Sequence, residues 1–260
     1  MKKFSPIIAL LAVGNLSGGA FNAGHALIDY ALRYKIILCT GPSFGRKQLL
    51  VETTAKDLAL IPFKKIFVAT NDPQNLDVTF NGIKPVCILF KSRDKQLDCL
   101  NCIITALKSA VNDHDCADDD IILFKHESVF INDMNLIKKA IGKIICGHDM
   151  VIKNWIGFED RPDKTHIKDY CHTDSFFIKV SSARELFKNH AEIAEFVKGD
   201  YHFCEEYFTK HIVNKLSNPY KIDYHHSSWK DNELGFYHLP RYEEESGWYW
   251  DKSNYEQLYT

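Results

Sequence analysis

Short apolar runs that alternate with stretches of helical spacing constrain this chain most. Lys35-Ile-Ile-Leu-Cys-Thr40 is a strand-length run ended by Gly41-Pro42, and Ile66-Phe-Val-Ala-Thr70 is closed by Asn71-Asp72-Pro73. Pro85-Val-Cys-Ile-Leu-Phe90 and Asp120-Ile-Ile-Leu-Phe124 follow the same pattern. Between them, residues 46–61 carry Leu49, Leu50, Ala55, Leu58 and Ile61 at helical intervals before Pro62 stops them, and a further helix is predicted at about 97–111. Strands that are apolar on both faces need cover on both faces. The predicted fold class is therefore α/β: a single, mostly parallel, Rossmann-like sheet with helices on both sides and an aromatic C-terminal extension.

The second half changes character. Residues 150–155 and 175–180 read as strands flanking a polar loop at 157–169, and helices are predicted near 182–190 and 203–216, the latter ended by Asn218-Pro219. The tail is crowded with aromatics and histidines, among them Tyr224, His225, His226, Trp229, Phe236, His238, Trp248 and Trp250. No internal repeat or low-complexity linker interrupts the chain, so residues 1–260 are predicted to form one domain.

Charge excludes one class of partner. With 32 Lys and Arg against 34 Asp and Glu, the chain lacks the basic excess that bulk nucleic-acid binding requires. No apolar run reaches the length of a membrane-spanning helix. Met1-Lys2-Lys3 followed by apolar residues 6–13 and Gly18-Gly19-Ala20 has the outline of a secretory signal peptide. The shortness of that run, with Asn15 and Ser17 close behind, favours a buried strand followed by a glycine-bearing loop, in a cytoplasmic protein or one peripheral to a membrane, with export as the alternative. The cysteines fit that compartment. Cys39 and Cys87 sit inside strand-like runs as small hydrophobes. Cys99 and Cys102, which with His114 and Cys116 can be drawn as a zinc site, follow the helical period of Leu97, Leu100, Ile103, Ile104 and Leu107, and are assigned to packing.

In an open parallel sheet, ligands bind beyond the carboxyl ends of the strands. The residues there are polar: Arg46, Asp72, Asp94, Lys95, His126 and Glu127. In this respect the chain resembles the nucleotide-sugar glycosyltransferases of the A-type fold, the family 2 group above all, over residues 35–216. The resemblance rests on element order, on residues 36–46 with Leu50 and Thr53-Thr54 behind them, and on a second strand ending in Asn71-Asp72. It implies a nucleotide-sugar half at about 35–130 and an acceptor half at about 131–260. It also implies that Thr40, Pro42, Arg46 and Asp72, with Lys95, line a pocket for a nucleotide-diphosphate sugar, a UDP-sugar being the commonest donor of that family.

Such enzymes carry Asp-x-Asp after the fourth strand, where it holds a divalent ion on the donor diphosphate. Here His126-Glu127-Ser128 stands in that place. The resemblance leaves three readings: a variant Mn²⁺ or Mg²⁺ site built from His126 and Glu127 with His238 from the tail, neutralisation of the diphosphate by Lys95 and Lys125, or loss of donor chemistry. The adjacent Asp118-Asp119-Asp120 run precedes the strand and is assigned to solvent. Glu205 and Glu206 open a helix and correspond to the acidic pair from which inverting members draw their base, with Glu205 preferred; the same position suits carboxylates for the helix dipole alone. Asp174 is placed to bind the hydroxyls of a glycan or other hydroxyl-bearing acceptor, and Trp155 to stack on a pyranose face.

The sequence thus points to transfer of a sugar to a hydroxyl, with a non-catalytic sugar-nucleotide or glycan-binding module as the alternative. A nucleotidyltransferase shares the alternating sheet, but the first strand is not followed by a glycine-rich loop with a basic signature.

Overall fold

The apolar runs become a seven-stranded sheet. The computed structural model describes residues 19–41, 46–91, 95–156, 169–190, 204–225, 234–238, 241–244 and 247–250. Its sheet contains β1 (Ile36–Gly41), β2 (Lys65–Thr70), β3 (Val86–Leu89), β4 (Ile121–His126), β6 (Met150–Ile156), β7 (Asp169–Lys179) and β8 (Pro219–His225). A short β5 (Val129–Ile131) leaves the sheet after β4 and pairs with β9 (Phe236–His238), while β10 (Arg241–Glu244) and β11 (Gly247–Trp250) form a separate hairpin. The strand order in the large sheet is β3-β2-β1-β4-β7-β6-β8. All neighbours are parallel except at β7, which runs against both β4 and β6.

Alternation along each strand explains why both faces are apolar. Ile36, Leu38, Ile66, Val68, Ile121 and Leu123 face one side, and pack with α1 (Gly19–Tyr34), α2 (Lys47–Leu60) and α4 (Met134–Ile145). Ile37, Cys39, Phe67, Ala69, Ile122 and Phe124 face the other, against α3 (Lys95–Asn112), α5 (Val180–Asn189) and α6 (Cys204–His211). This is the mostly parallel, two-faced α/β sheet that the sequence predicts. Gly41 shows how tightly the layers meet, because a Cβ there would lie 1.7 Å from Cys102 Sγ and 2.5 Å from the Ala69 carbonyl oxygen.

Four expectations need correction. The loop around Gly19-Ala20 is instead the start of α1, whose Ala31 and Leu32 pack into the core. β7 begins at Asp169, not at 175, so Asp174 lies within a strand. The helix expected over 203–216 ends at His211 and resumes as a 3₁₀ turn at Val213–Lys215. Asp120 is fully buried, with Lys64 Nζ 2.6 Å and Lys35 Nζ 3.5 Å from its carboxylate, while Asp118 and Asp119 are exposed as expected. The apolar run at 6–13 lies outside the described residues.

Candidate functional site

Strand direction brings distant residues to one edge. β1, β2, β4, β6 and β8 all end there, and β7, running the other way, enters there with His172, Thr173 and Asp174. The chain reverses its order of strand addition between β1 and β4, and that crevice is where an open α/β sheet binds ligands.

In the crevice Arg46, just ahead of α2, donates from Nη1 to Glu127 Oε1 at 2.9 Å. Glu127 is buried, and withdrawing a lone carboxylate from water costs several kcal/mol. Burial pushes its pKa up, but the charges of His126 and Arg46 outweigh burial and hold it below the ordinary value. Thr53 Oγ1 donates to the Glu127 carbonyl at 3.0 Å and so fixes the turn between β4 and β5. Thr40 is buried at the end of β1, opposite Lys125 in the register. Asp72 is also buried, and its Oδ1 accepts from Gln74 N at 3.0 Å, capping the 3₁₀ turn at Pro73–Asp77. Pro42 lies outside the described residues; Lys95 opens α3, with its side chain outside them.

Lys125 does not reach the crevice. Its fully buried ammonium lies 2.7 Å from Asp57 Oδ2 and donates to the Val129 carbonyl at 2.9 Å, between α2 and β5. Neutralisation of a diphosphate by Lys125 is therefore ruled out by position.

At the centre stands His126, the last residue of β4. Its Nε2 is 3.3 Å from Cys99 Sγ, and its Nδ1 is 4.0 Å from Glu127 Oε2. Burial works against a charge on the ring, yet the Cys99 sulfur, with Glu127 and Asp174 behind it, raises the pKa to about 9. The neighbouring Cys204 and the charge of His126 bring Cys99 down to about 6 against the effect of burial. The neighbouring Cys99, together with burial, pushes Cys204 itself well above its ordinary value. Glu205, beside Cys204 at the start of α6, accepts from Thr173 Oγ1 at 3.4 Å and from Cys204 Sγ at 3.1 Å. Glu206 follows on the same helix, half-buried.

The far side is a second polar cluster. His172 Nδ1 approaches Asp174 Oδ2 to 2.7 Å, and His238 Nε2 lies 3.7 Å from the same oxygen and 3.4 Å from Ser128 Oγ. Burial raises the pKa of Asp174, but His172, His238 and Lys153 outweigh it and hold the carboxyl well below its usual range. Lys153 is buried, and desolvation lowers its pKa although Asp174 pulls the other way. Trp155 lies near-parallel to Tyr224 with centroids 5.9 Å apart, and edge-on to Tyr170 at 5.0 Å. His238 arrives because β9 pairs with β5, with Val129 opposite it. Gly235, at φ +91°, makes the turn before β9, and its carbonyl accepts from the amides of Asn132 and Asp133.

The edge thus gathers Arg46, His126, Glu127, Asp174, Trp155, Glu205 and His238. It does not make a divalent-ion site of His126, Glu127 and His238. Their ligand atoms do not come together: Glu127 is matched to the Arg46 guanidinium, His126 faces Cys99, and His238 is turned towards Ser128 and Asp174. Among the described residues, the one set of three with ligand atoms all within 4.8 Å of one another is Asp113, His114 and Asp115, which could hold a metal ion. Lys65, at the opposite edge of the sheet, donates to both of those aspartates. Sequence reasoning missed Cys99, because its spacing matches a core stripe, and Cys204, His172 and Lys153, although Cys204 adjoins the expected Glu205. Among the described residues no helix is long and apolar enough to cross a membrane.

No family model and no curated protein matches the chain. Among solved structures it is similar to 2-C-methyl-D-erythritol 4-phosphate cytidylyltransferase of Francisella tularensis, at 15% identity and a TM-score of 0.46, over 73% of this chain and 90% of that one. A likeness at that level assigns no residue a role.

Proposed function

We propose that this chain is a glycosyltransferase that moves a sugar from a nucleotide-diphosphate donor, a UDP-sugar, to a hydroxyl acceptor. The observation that carries the reading is the reversed β7. It sets Thr173 and Asp174, with Glu205 beside them, at the same edge as the β1–β4 crevice. In this reading the donor lies over the ends of β1 and β4, with Thr40, Pro42, Arg46, Asp72 and Lys95 around it. The His126 imidazolium and the Arg46 guanidinium offset charge gathering on the departing diphosphate, as fixed cations do in a site that excludes water. Asp174 and Trp155 hold the acceptor. Glu205 takes the proton from the acceptor hydroxyl as its oxygen attacks the anomeric carbon, which inverts that centre. Thr173 steadies the Glu205 carboxylate for that role, and Glu206, on the next position of the helix, is the second candidate.

One feature favours the alternative of a binding module without turnover: Glu127, standing in the place of the metal-holding Asp-x-Asp, is paired with the Arg46 guanidinium. Thermal unfolding with a panel of nucleotide sugars, in Mg²⁺, in Mn²⁺ and in chelator, tests the donor site. A ligand that binds the native state raises Tm by mass action, about 2.7 kcal/mol of stabilisation at one hundred times Kd. The expected result is a rise with UDP-sugars that survives chelation; no rise with any nucleotide would sink the glycosyltransferase reading and leave a glycan-binding module. Hydrolysis or transfer that falls by about 10²-fold in Glu205→Gln, with donor binding retained, identifies the base. Binding with no turnover in the unmodified protein would leave the module.

A further inference from the structure

The chemistry above leaves two thiols unused. Cys99 lies one turn into α3 and Cys204 opens α6, two helices that pack together on one face of the sheet. Cys204 neighbours Cys99 across that packing, each shifting the other's ionisation, and His126 Nε2 stands 3.3 Å from the Cys99 sulfur. Cys204 Sγ in turn lies 3.1 Å from Glu205 Oε2 and 3.9 Å from Thr173 Oγ1. The contrast with the packing cysteines is plain. Cys39, Cys102, Cys116 and Cys171 are buried, and the first two point their S–H groups at the carbonyls of Ala106 and Ala69. Cys99 and Cys204 are only half-buried, and each shifts the other's ionisation.

A thiol beside an imidazole is the arrangement that yields a thiolate, the reactive form of sulfur, and a neighbouring second thiol is placed to resolve an oxidised first one. We infer that Cys99 is a modification site: with His126 as its partner it reacts with hydrogen peroxide, and Cys204 then closes an intramolecular Cys99–Cys204 disulfide. In the first step the Cys99 thiolate attacks one peroxide oxygen. The S–O bond forms, the O–O bond breaks, and the departing hydroxide takes the His126 proton and leaves as water. In the second step the Cys204 sulfur attacks the Cys99 sulfur, the S–S bond forms and the S–O bond breaks. The Cys204 proton goes to the leaving oxygen, which departs as a second water. The two cysteines lose two electrons and one peroxide is reduced to two waters. The bridge is complete when the two sulfurs reach the bond length of about 2.05 Å. This inference stands apart from the proposed glycosyl transfer, since it needs no donor or acceptor.

The test is peptide mapping of the reduced full chain after brief exposure to stoichiometric hydrogen peroxide. The expected product is a cross-linked peptide joining Cys99 to Cys204, formed before any oxidation of Cys146, the exposed cysteine that serves as an internal control. In Cys204→Ser, dimedone is expected to trap a sulfenic acid on Cys99. In His126→Gln, Cys99 is expected to react about tenfold more slowly, because its thiolate is no longer matched to a cation. Oxidation of Cys146 ahead of Cys99 in the unmodified protein would overturn the inference. So would a dimedone adduct on Cys204 in Cys99→Ser forming as fast as the one on Cys99, or a dimer linked through either residue in place of the internal bridge. The unmodified protein alone decides the first outcome, so the test survives a variant that does not fold.

Discussion

Asp174 sits where His172, His238 and Lys153 converge, and they hold its carboxyl well below the ordinary range despite burial. A carboxyl whose folded pKa is depressed stabilises the fold above its unfolded value, near 3.8, and loses that contribution as pH falls through the folded value. Asp174→Asn is therefore expected to lower Tm at neutral pH, and the gap from the unmodified protein should close once the pH is well below 4. A gap that widened on acidification would contradict the geometry. At this scale the sequence was only half legible. Arg46, His126, Glu127, Asp174 and Glu205 could be named because strand ends and helix starts are visible as local patterns. What each one touches could not, because Arg46 and Glu127 meet across 81 positions and no periodicity encodes such a meeting. The metal set drawn from His126, Glu127 and His238 went astray for that reason: a spacing names ligands, but it does not say that a guanidinium already occupies one of them.

Among the elements, α2 and β5 depend on one buried ion pair. Lys125 and Asp57 are both fully buried, and Asp57 Oδ1 also accepts from the Ile131 amide at 2.7 Å, so the carboxylate fastens β5 while the ammonium fastens β4. Burial raises the Asp57 pKa even though Lys125 pulls it down. Removing one partner strands the other, so Lys125→Met is expected to destabilise the protein by about 3–5 kcal/mol in urea unfolding. The double variant Lys125→Met with Asp57→Leu should recover a good part of that loss, though the Ile131 amide is left without its acceptor. A double variant no more stable than the single would show that the pair does more than cancel its own charges. Most elements were legible from apolar period and from Gly and Pro punctuation, as β1, β2, β4 and α2 show. α4 was not assigned from the sequence, although Asp133, which caps the amides of Asn135 and Leu136 ahead of Ile137, Ala140, Ile141 and Ile144, is the local signal that marks it. α1 was hidden because glycine and alanine at its start read locally as a loop, and packing on the sheet, not propensity, makes it a helix.

At the scale of the whole molecule, one reversed strand converts an ordinary parallel sheet into a two-sided edge, with the crevice on one side of β4 and the Asp174 cluster on the other. The fold class could be read from alternation alone. The reversal of β7 could not, since antiparallel and parallel neighbours both present apolar strands when helices cover them. The far wall hangs on the turn at Gly235, where a Cβ would lie 2.6 Å from the Asp133 carbonyl oxygen and 2.9 Å from Ile137 Cγ1. Gly235→Ala is expected to lose about 1–3 kcal/mol of stability and to loosen His238 from Ser128, read as faster amide exchange across β9. Unchanged exchange would show that the turn does not set the position of the wall. The pairing of β9 with β5 has a consequence for how the protein is made. His238 is synthesised after every strand of the large sheet. The wall it builds is therefore the last part of the site that the growing chain can complete.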